Sequence, residues 1–447
     1  MFQMHTHSLL ACAITSVLLA GCGGSDSSSD VPSSIASPNI NGTPSLSSVS
    51  AYQTTAQSDN VEACSTAFLS NNSCDLSVIQ PIGVDGQDVT IEQIKERLVV
   101  SHEWMADSFI SALEEMADQD LLNLFKPLNS IVISYDIRPS FYTTATASMY
   151  IDPKYVWRTK SEWDSIYQQQ DYRAKFQTEF QFDKASRYVD KNTNNYVTYS
   201  NTYDANYNSA RLSSHIAPGL FRLLSHELAH ANDFLQAHDL VQIPDSGTIN
   251  SYIWPLVKLN EDLTSSNPLT SELLTEAAQI AFRGETMTDR VRDLTGELAG
   301  AEFEADSAAA FYSYSSPAED VAMLFEAYMM YRKYGALSDF AFVSIPQTTN
   351  YTCNDWKVLW GQRSRLSEED VLERAVFVAQ GILDKPEASI RAELASLPAT
   401  PQTLVSGSGW CESQQMSQAY AVSRSLQSSN FASGLSDNLR YKEDLED

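Results

Sequence analysis

Apolar residues recur every three or four positions from residue 91 to 113, with Ile91, Ile94, Leu98, Trp104, Met105, Phe109 and Leu113 on one side of a helical projection. That period predicts one long helix or two successive ones. The β-branched stretch NSIVISYDI (129–137) has strand length, and TATASMYIDPKYVW (144–157) alternates well enough to be a second strand. A Tyr- and Asn-rich middle, 188–207, holds no sustained period and reads as loop or irregular strand. Pro218 then opens PGLFRLLSHELAHANDFLQAHDL (218–240), where proline suits a first helical turn and Leu220, Leu224, Leu228, Ala231 and Leu235 form a buried stripe. Further helices are predicted over 271–284, 289–312, 316–335 (started by Ser316 and Pro317, stopped by Gly335) and 367–383. The sum is an α+β chain, mainly helical, with a small sheet and a helical C-terminal part. It has no internal repeat and no spanning helix beyond its first residues.

The N-terminal segment changes the picture by assigning a compartment. SLLACAITSVLLA (8–20) is an apolar run of signal-peptide length, too short for a comfortable membrane span. It runs into Leu19-Ala20-Gly21-Cys22, which resembles the bacterial lipobox, although the preceding MFQMHTH holds neither Lys nor Arg. The resemblance implies that 1–21 is a lipoprotein signal peptide, that Cys22 carries lipid and anchors the chain to a membrane, and that the location is the cell envelope. Gly23 and Gly24, with no aspartate beside the cysteine, favour the outer membrane by the same resemblance. The Ser-, Thr- and Pro-rich residues that follow bury too little to offset chain entropy, so 22–75 is expected to be the lipidated cysteine and a flexible tether. Residues 76–425 are then the folded domain and 426–447 a frayed tail.

Cysteine usage agrees with export. Cys64, Cys74, Cys353 and Cys411 remain after the signal and the lipidated residue, and four thiols in an oxidising compartment suggest two disulfides. Cys64 with Cys74 and Cys353 with Cys411 are closest along the chain. A tetracysteine zinc site is the weaker rival, because no Cys-x-x-Cys spacing exists. The formal net charge of −28 repels nucleic acid and anionic lipid heads, so neither is an expected partner.

The chemistry concentrates in SHELAHAND (225–233). Residues four apart on a helix lie one above the other, so His226 and His230 can aim at a common point, and Glu227 falls beside a metal held there. His-Glu-x-x-His on an apolar-striped helix points to Zn2+ with the glutamate as general base. A third ligand is needed. The metzincin continuation would require glycine at Asp233 and histidine at Gln236, and His238 is out of step, which leaves a glutamate from a later helix.

Two glutamates compete for that place. Around Glu319 the chain resembles the gluzincin peptidases of the lethal-factor-like group, through His226, Glu227, His230, Ala231 and Asp233 and through Glu319-Asp320-Val321-Ala322. Met323 stands where the pattern usually has a second acidic residue. The resemblance implies a zincin-like catalytic domain, zinc on His226, His230 and Glu319, and a catalytic tyrosine at Tyr312, or Tyr314 in another register. Around Glu302, AEFEADSAAA (301–310) resembles the ligand helix of the proteases that cleave prenylated proteins, with Asp306 beside the ligand. Each has a plain structural reading: Glu319 as the reciprocal partner of Ser316 in a capping box, Glu302 as a solvated helix face. Asp233 tips the choice toward Glu319. His102, His215 and His238 have no partner at metal spacing. ASMYIDP (147–153) is the candidate edge strand for pairing with extended substrate. The expected function is a lipid-anchored zinc peptidase acting on peptide or protein substrate at the cell envelope; the alternative is a non-catalytic envelope lipoprotein that uses a zincin scaffold for binding.

Overall fold

The chain builds two sheets, the first packed on the long helix Ser213–Phe234 and the second on helices Gly296–Glu304 and Pro317–Tyr334. The computed structural model describes residues 43–168, 171–177, 179–203, 210–348 and 350–412, all within one compact unit. The expected signal peptide, Cys22 and the tail 426–447 lie outside the described residues.

The first sheet contains β1 (Ser50–Ala51), β2 (Leu98–Val100), β3 (Ser130–Ile133), β4 (Phe141–Thr143) and β5 (Ser148–Ile151), in the order β1-β2-β3-β5-β4. β2, β3 and β5 are parallel and β1 and β4 run antiparallel on the two edges. Both faces of the parallel strands are covered. Leu98, Val100, Ile131, Ile133, Met149 and Ile151 face the main core, whereas Val99, Val132 and Tyr150 face a second core that holds Cys64 and Cys74. Strands buried on both faces read as continuous apolar runs rather than alternation, and β2 sits inside the stretch expected to be helical. Residues 91–113 therefore fold as helix Ile91–Glu96, strand, and helix Glu103–Met116. ASMYIDP is not an edge: β5 is flanked by β3 and β4, and β4 is the edge strand.

The second sheet is an antiparallel meander of β6 (Phe182–Asp190), β7 (Ala336–Ser344), β8 (Val358–Arg363) and β9 (Gln402–Thr403). β6 enters the Tyr- and Asn-rich segment that lacked a period. Its pattern is masked by the buried charges Asp183, Lys184 and Arg187, the last paired with Asp339 of β7 at 2.7 Å. Helix Gly296–Glu304 lies on β8, where a Cβ on Gly300 would stand 2.1 Å from the Trp360 side chain; only glycine permits that approach.

Residues 43–75 are not tether. Leu46 is buried, β1 pairs with β2, helix Ser58–Thr66 covers the sheet, and Cys64 is bonded to Cys74. A few apolar anchors and a crosslink order a segment whose average composition suggests disorder. The second bridge joins Cys353 to Cys411, so both expected pairings are present.

The central helix is Ser213–Phe234, which begins five residues before Pro218. Proline here forfeits the bond to the Ser214 carbonyl, and Ser214 is exposed to water. The Leu212 N–H donates to His215 Nδ1 at 3.3 Å, which caps the true start. The predicted 289–312 helix is broken into Asp289–Arg292, Gly296–Glu304 and a 3-10 turn, Phe311–Ser315. Arg365 donates to the carbonyls of Phe303, Asp306 and Ala308, so a side chain takes the acceptors that the next helical turn would have used. Helix Pro317–Tyr334 starts on Ser316 and stops on Gly335, as its sequence predicts, and packs along the central helix. Helix Glu369–Leu383 is capped by Glu368 and tied to helix Pro317–Tyr334 through Arg374, which pairs with buried Asp320. Among the described residues no helix is long and apolar enough to cross a membrane.

Candidate metal centre

His226 and His230 project from the central helix toward the first turn of helix Pro317–Tyr334. Their rings lie 5.0 Å apart, nearly perpendicular. Glu319 Oε2 stands 3.1 Å from His226 Nε2 and 3.3 Å from His230 Nε2. One ligand atom from each residue lies within 4.8 Å of the other two, as a shared ion requires. The three side chains are 12–13% exposed, so the point between them is shielded but open to a cleft of about 1150 Å³.

Capping does not account for Glu319. Ser316 Oγ accepts from the Glu319 N–H at 3.2 Å, half of a capping box, yet the Glu319 carboxylate does not turn back. Its second oxygen accepts from the Tyr312 hydroxyl at 2.8 Å. Glu302 is exposed, accepts from Ser271 at 2.8 Å and is not part of the cluster; Asp306 caps a turn by accepting from the Thr270 and Ser271 N–H groups. Tyr314 donates to Asp306, so Tyr312 is the tyrosine at the site. His102 binds Ser101, His215 caps its helix, and exposed His238 faces Asp239.

Glu326 is the residue that sequence reasoning missed. It lies seven positions after Glu319 on the same face of one helix, which was the available signal, and its Oε2 is 3.4 Å from His226 Nδ1. Tyr188 of β6 and Arg222 of the central helix hold its other oxygen at 2.8 and 3.1 Å. An acidic partner thus exists despite Met323. Asp233, by contrast, accepts from the backbone and side chain of Asn260 at 2.8 and 2.7 Å and fixes the end of the central helix. Burial pushes its pKa up to about 6.

Burial and charge oppose each other throughout the cluster. Burial alone would favour neutral His226, but the Glu319 and Glu326 carboxylates outweigh it and hold the imidazole pKa up at about 10. Against the same burial, His230 and His226 keep Glu319 well below the usual carboxylate range. Glu227 is buried and its pKa is raised by that burial, while His226 and His230 oppose the rise. Burial, then the Glu319 carboxylate, keep the Tyr312 phenol protonated and therefore a donor. Arg173, clamped on Asp171, reaches the Tyr312 oxygen at 3.4 Å.

Two imidazoles and one carboxylate, with a further carboxylate on the far nitrogen of one ring, match the donor set of a three-ligand zinc site. Calcium and magnesium take oxygen donors and fit poorly. No family model, curated protein or solved structure matches this chain.

Proposed function

We propose that the chain is a zinc-dependent peptidase of gluzincin type that hydrolyses peptide or protein substrates at the cell envelope. The observation that carries this reading is the Glu319 carboxylate, seated between His226 Nε2 and His230 Nε2 with the Tyr312 hydroxyl on its other oxygen. His226, His230 and Glu319 would hold the zinc, which would supply a Lewis acid to polarise the scissile carbonyl and acidify a water. Glu227, beside the ligands and lining the cleft, takes the proton of the attacking water and passes it to the departing amine. Its raised pKa suits both halves of that shuttle. Tyr312 releases Glu319 and donates to the oxygen on which charge develops. β4 is the sheet edge that lines the cleft through Phe141 and Tyr142, and its free side suits pairing with an extended peptide. Two disulfides favour an oxidising compartment, which supports export; the lipid anchor on Cys22 is part of the same reading.

The test is zinc content and turnover of the soluble domain. Wild type and Glu302→Ala should bind one zinc and Glu319→Ala none. Glu227→Gln should keep zinc and lose turnover by about 10²–10⁴. Zinc that survives Glu319→Ala but not Glu302→Ala would overturn the ligand assignment. A zinc-loaded wild type that cleaves nothing in a broad peptide set would leave a zincin-type scaffold used for binding.

A further inference from the structure

The cleft beside the metal cluster carries five cationic side chains, and four of them are engaged. Lys154 faces Asp152 at 3.8 Å, Arg173 is clamped on Asp171, and Arg222 binds Glu326 at 3.1 Å. Lys258 donates to the Trp254 and Leu256 carbonyls, with Glu261 at 4.0 Å. The fifth is Arg283. It is exposed, lines the cleft, and has no hydrogen-bond or ion-pair partner among the described residues. With 57 acidic residues against 29 basic ones, carboxylates are plentiful in this chain, so an arginine without one stands out.

The backbone holds Arg283 in place. Helix Glu272–Ala278 continues as a π-turn, Gln279–Arg283, a geometry that recurs at functional sites. The turn ends on Gly284 at φ +75°, where a Cβ would come within 2.8 Å of the Phe176 ring. Phe282, the preceding residue, is buried and packs edge-on to Tyr312 with ring centroids 4.7 Å apart. Tyr312 in turn touches Glu319. The guanidinium therefore stands on a fixed turn one residue from the ring that abuts the catalytic tyrosine, close enough to act on it electrostatically.

We infer that Arg283 is a specificity-determining residue that binds a substrate carboxylate next to the bond to be cleaved, from either an acidic side chain or the peptide's C-terminus. The inference rests on the peptidase reading. A guanidinium presents a planar fork that matches a carboxylate with two parallel hydrogen bonds, and neither an amide nor an ammonium group in the substrate offers the same match.

The test uses internally quenched peptides with Glu, Gln or Lys at each position flanking the cleaved bond, and with free or amidated C-termini. Wild type should prefer the carboxylate at one position by about tenfold or more in kcat/KM, the scale of a charged hydrogen bond. Arg283→Gln should abolish that preference and Arg283→Glu should shift it toward Lys. Dependence on a free terminus identifies the terminal carboxylate; indifference to amidation identifies the side chain. A second arm measures binding of the same peptides to Glu227→Gln by fluorescence anisotropy, with and without Arg283→Gln. Cleavage with no carboxylate preference, or a preference that survives Arg283→Gln, overturns the inference and leaves the peptidase reading standing. Absence of cleavage with a carboxylate preference in binding that Arg283→Gln removes does the reverse.

Discussion

Replacing Glu326 with Gln tests whether the carboxylate behind His226 tunes the metal site. Glu326 is 3% exposed, and its oxygens face Tyr188, Arg222 and His226 Nδ1. Burial pushes against ionisation, but Arg222 and His226 hold the pKa below the ordinary carboxylate value, so the group is charged at neutral pH. Glutamine keeps one oxygen for Tyr188 and Arg222 and removes the negative charge from the imidazole. A full unit charge at 3.4 Å would interact by about 5 kcal/mol at an effective dielectric of about 20, which sets the ceiling. An imidazole bound to zinc carries only part of such a charge, and loss of a partner to a ligating histidine typically lowers affinity about 10–100-fold, or about 1.4–2.7 kcal/mol. Chelator competition at neutral pH should therefore show zinc affinity lowered by that factor, with near-wild-type circular dichroism. Unchanged affinity in a folded variant would refute the argument that Glu326 acts through His226.

Three other outcomes follow from the same geometry. Tyr312→Phe keeps the ring packed 4.7 Å from Phe282 and should retain zinc, but lower kcat by about 10²–10³ with little change in KM; an unaffected kcat would remove Tyr312 from the mechanism. The loop closed by Cys353–Cys411 spans 58 residues against 10 for Cys64–Cys74, so by loop entropy its removal should cost about 1.5 kcal/mol more, read from denaturant midpoints; equal costs would show that strain or residual structure dominates. His226, whose pKa the Glu319 and Glu326 carboxylates raise from the ordinary imidazole value of 6.5 to about 10, contributes stability to the zinc-free protein that is fully present below pH 6.5 and is lost as pH rises through 10. Zinc replaces that proton, so the melting-temperature gap between zinc-loaded and chelated protein should widen from pH 6.5 to 10; a gap that narrows would refute the assignment.

Local signals carried well when one element held the whole pattern. His226 and His230 are one helical turn apart, and Ser316-Pro317 and Gly335 mark the ends of the Glu319 helix without help from tertiary contacts. The same was true of the disulfides, since each bond joins the nearer partner in sequence. Boundaries failed where a distant side chain decided them. Arg365 ends the helix before Asp306 from about sixty residues downstream, and the burial of β2 on both faces erased the alternation that would have marked a strand.

The least legible part is the environment of the proposed metal ligands, and the reason is connectivity. Glu326 shares a helical face with Glu319, but its role depends on Tyr188 from β6 and Arg222 from the central helix, which are distant in sequence and meet it only in the assembled fold. β6 is hard to read because Asp183, Lys184 and Arg187 are buried in it, and the burial of Arg187 is offset by Asp339 of β7 and by the Trp410 carbonyl and ring. A strand that looks polar in isolation thus supplies the tyrosine that orients the carboxylate behind a ligand. Arg283 follows the converse logic: its exposed charge looks ordinary in sequence, and only the engagement of its four cationic neighbours makes it distinctive. In this chain the proposed metal ligands are a local property of two helices, whereas the groups that would tune and select are properties of the assembled fold.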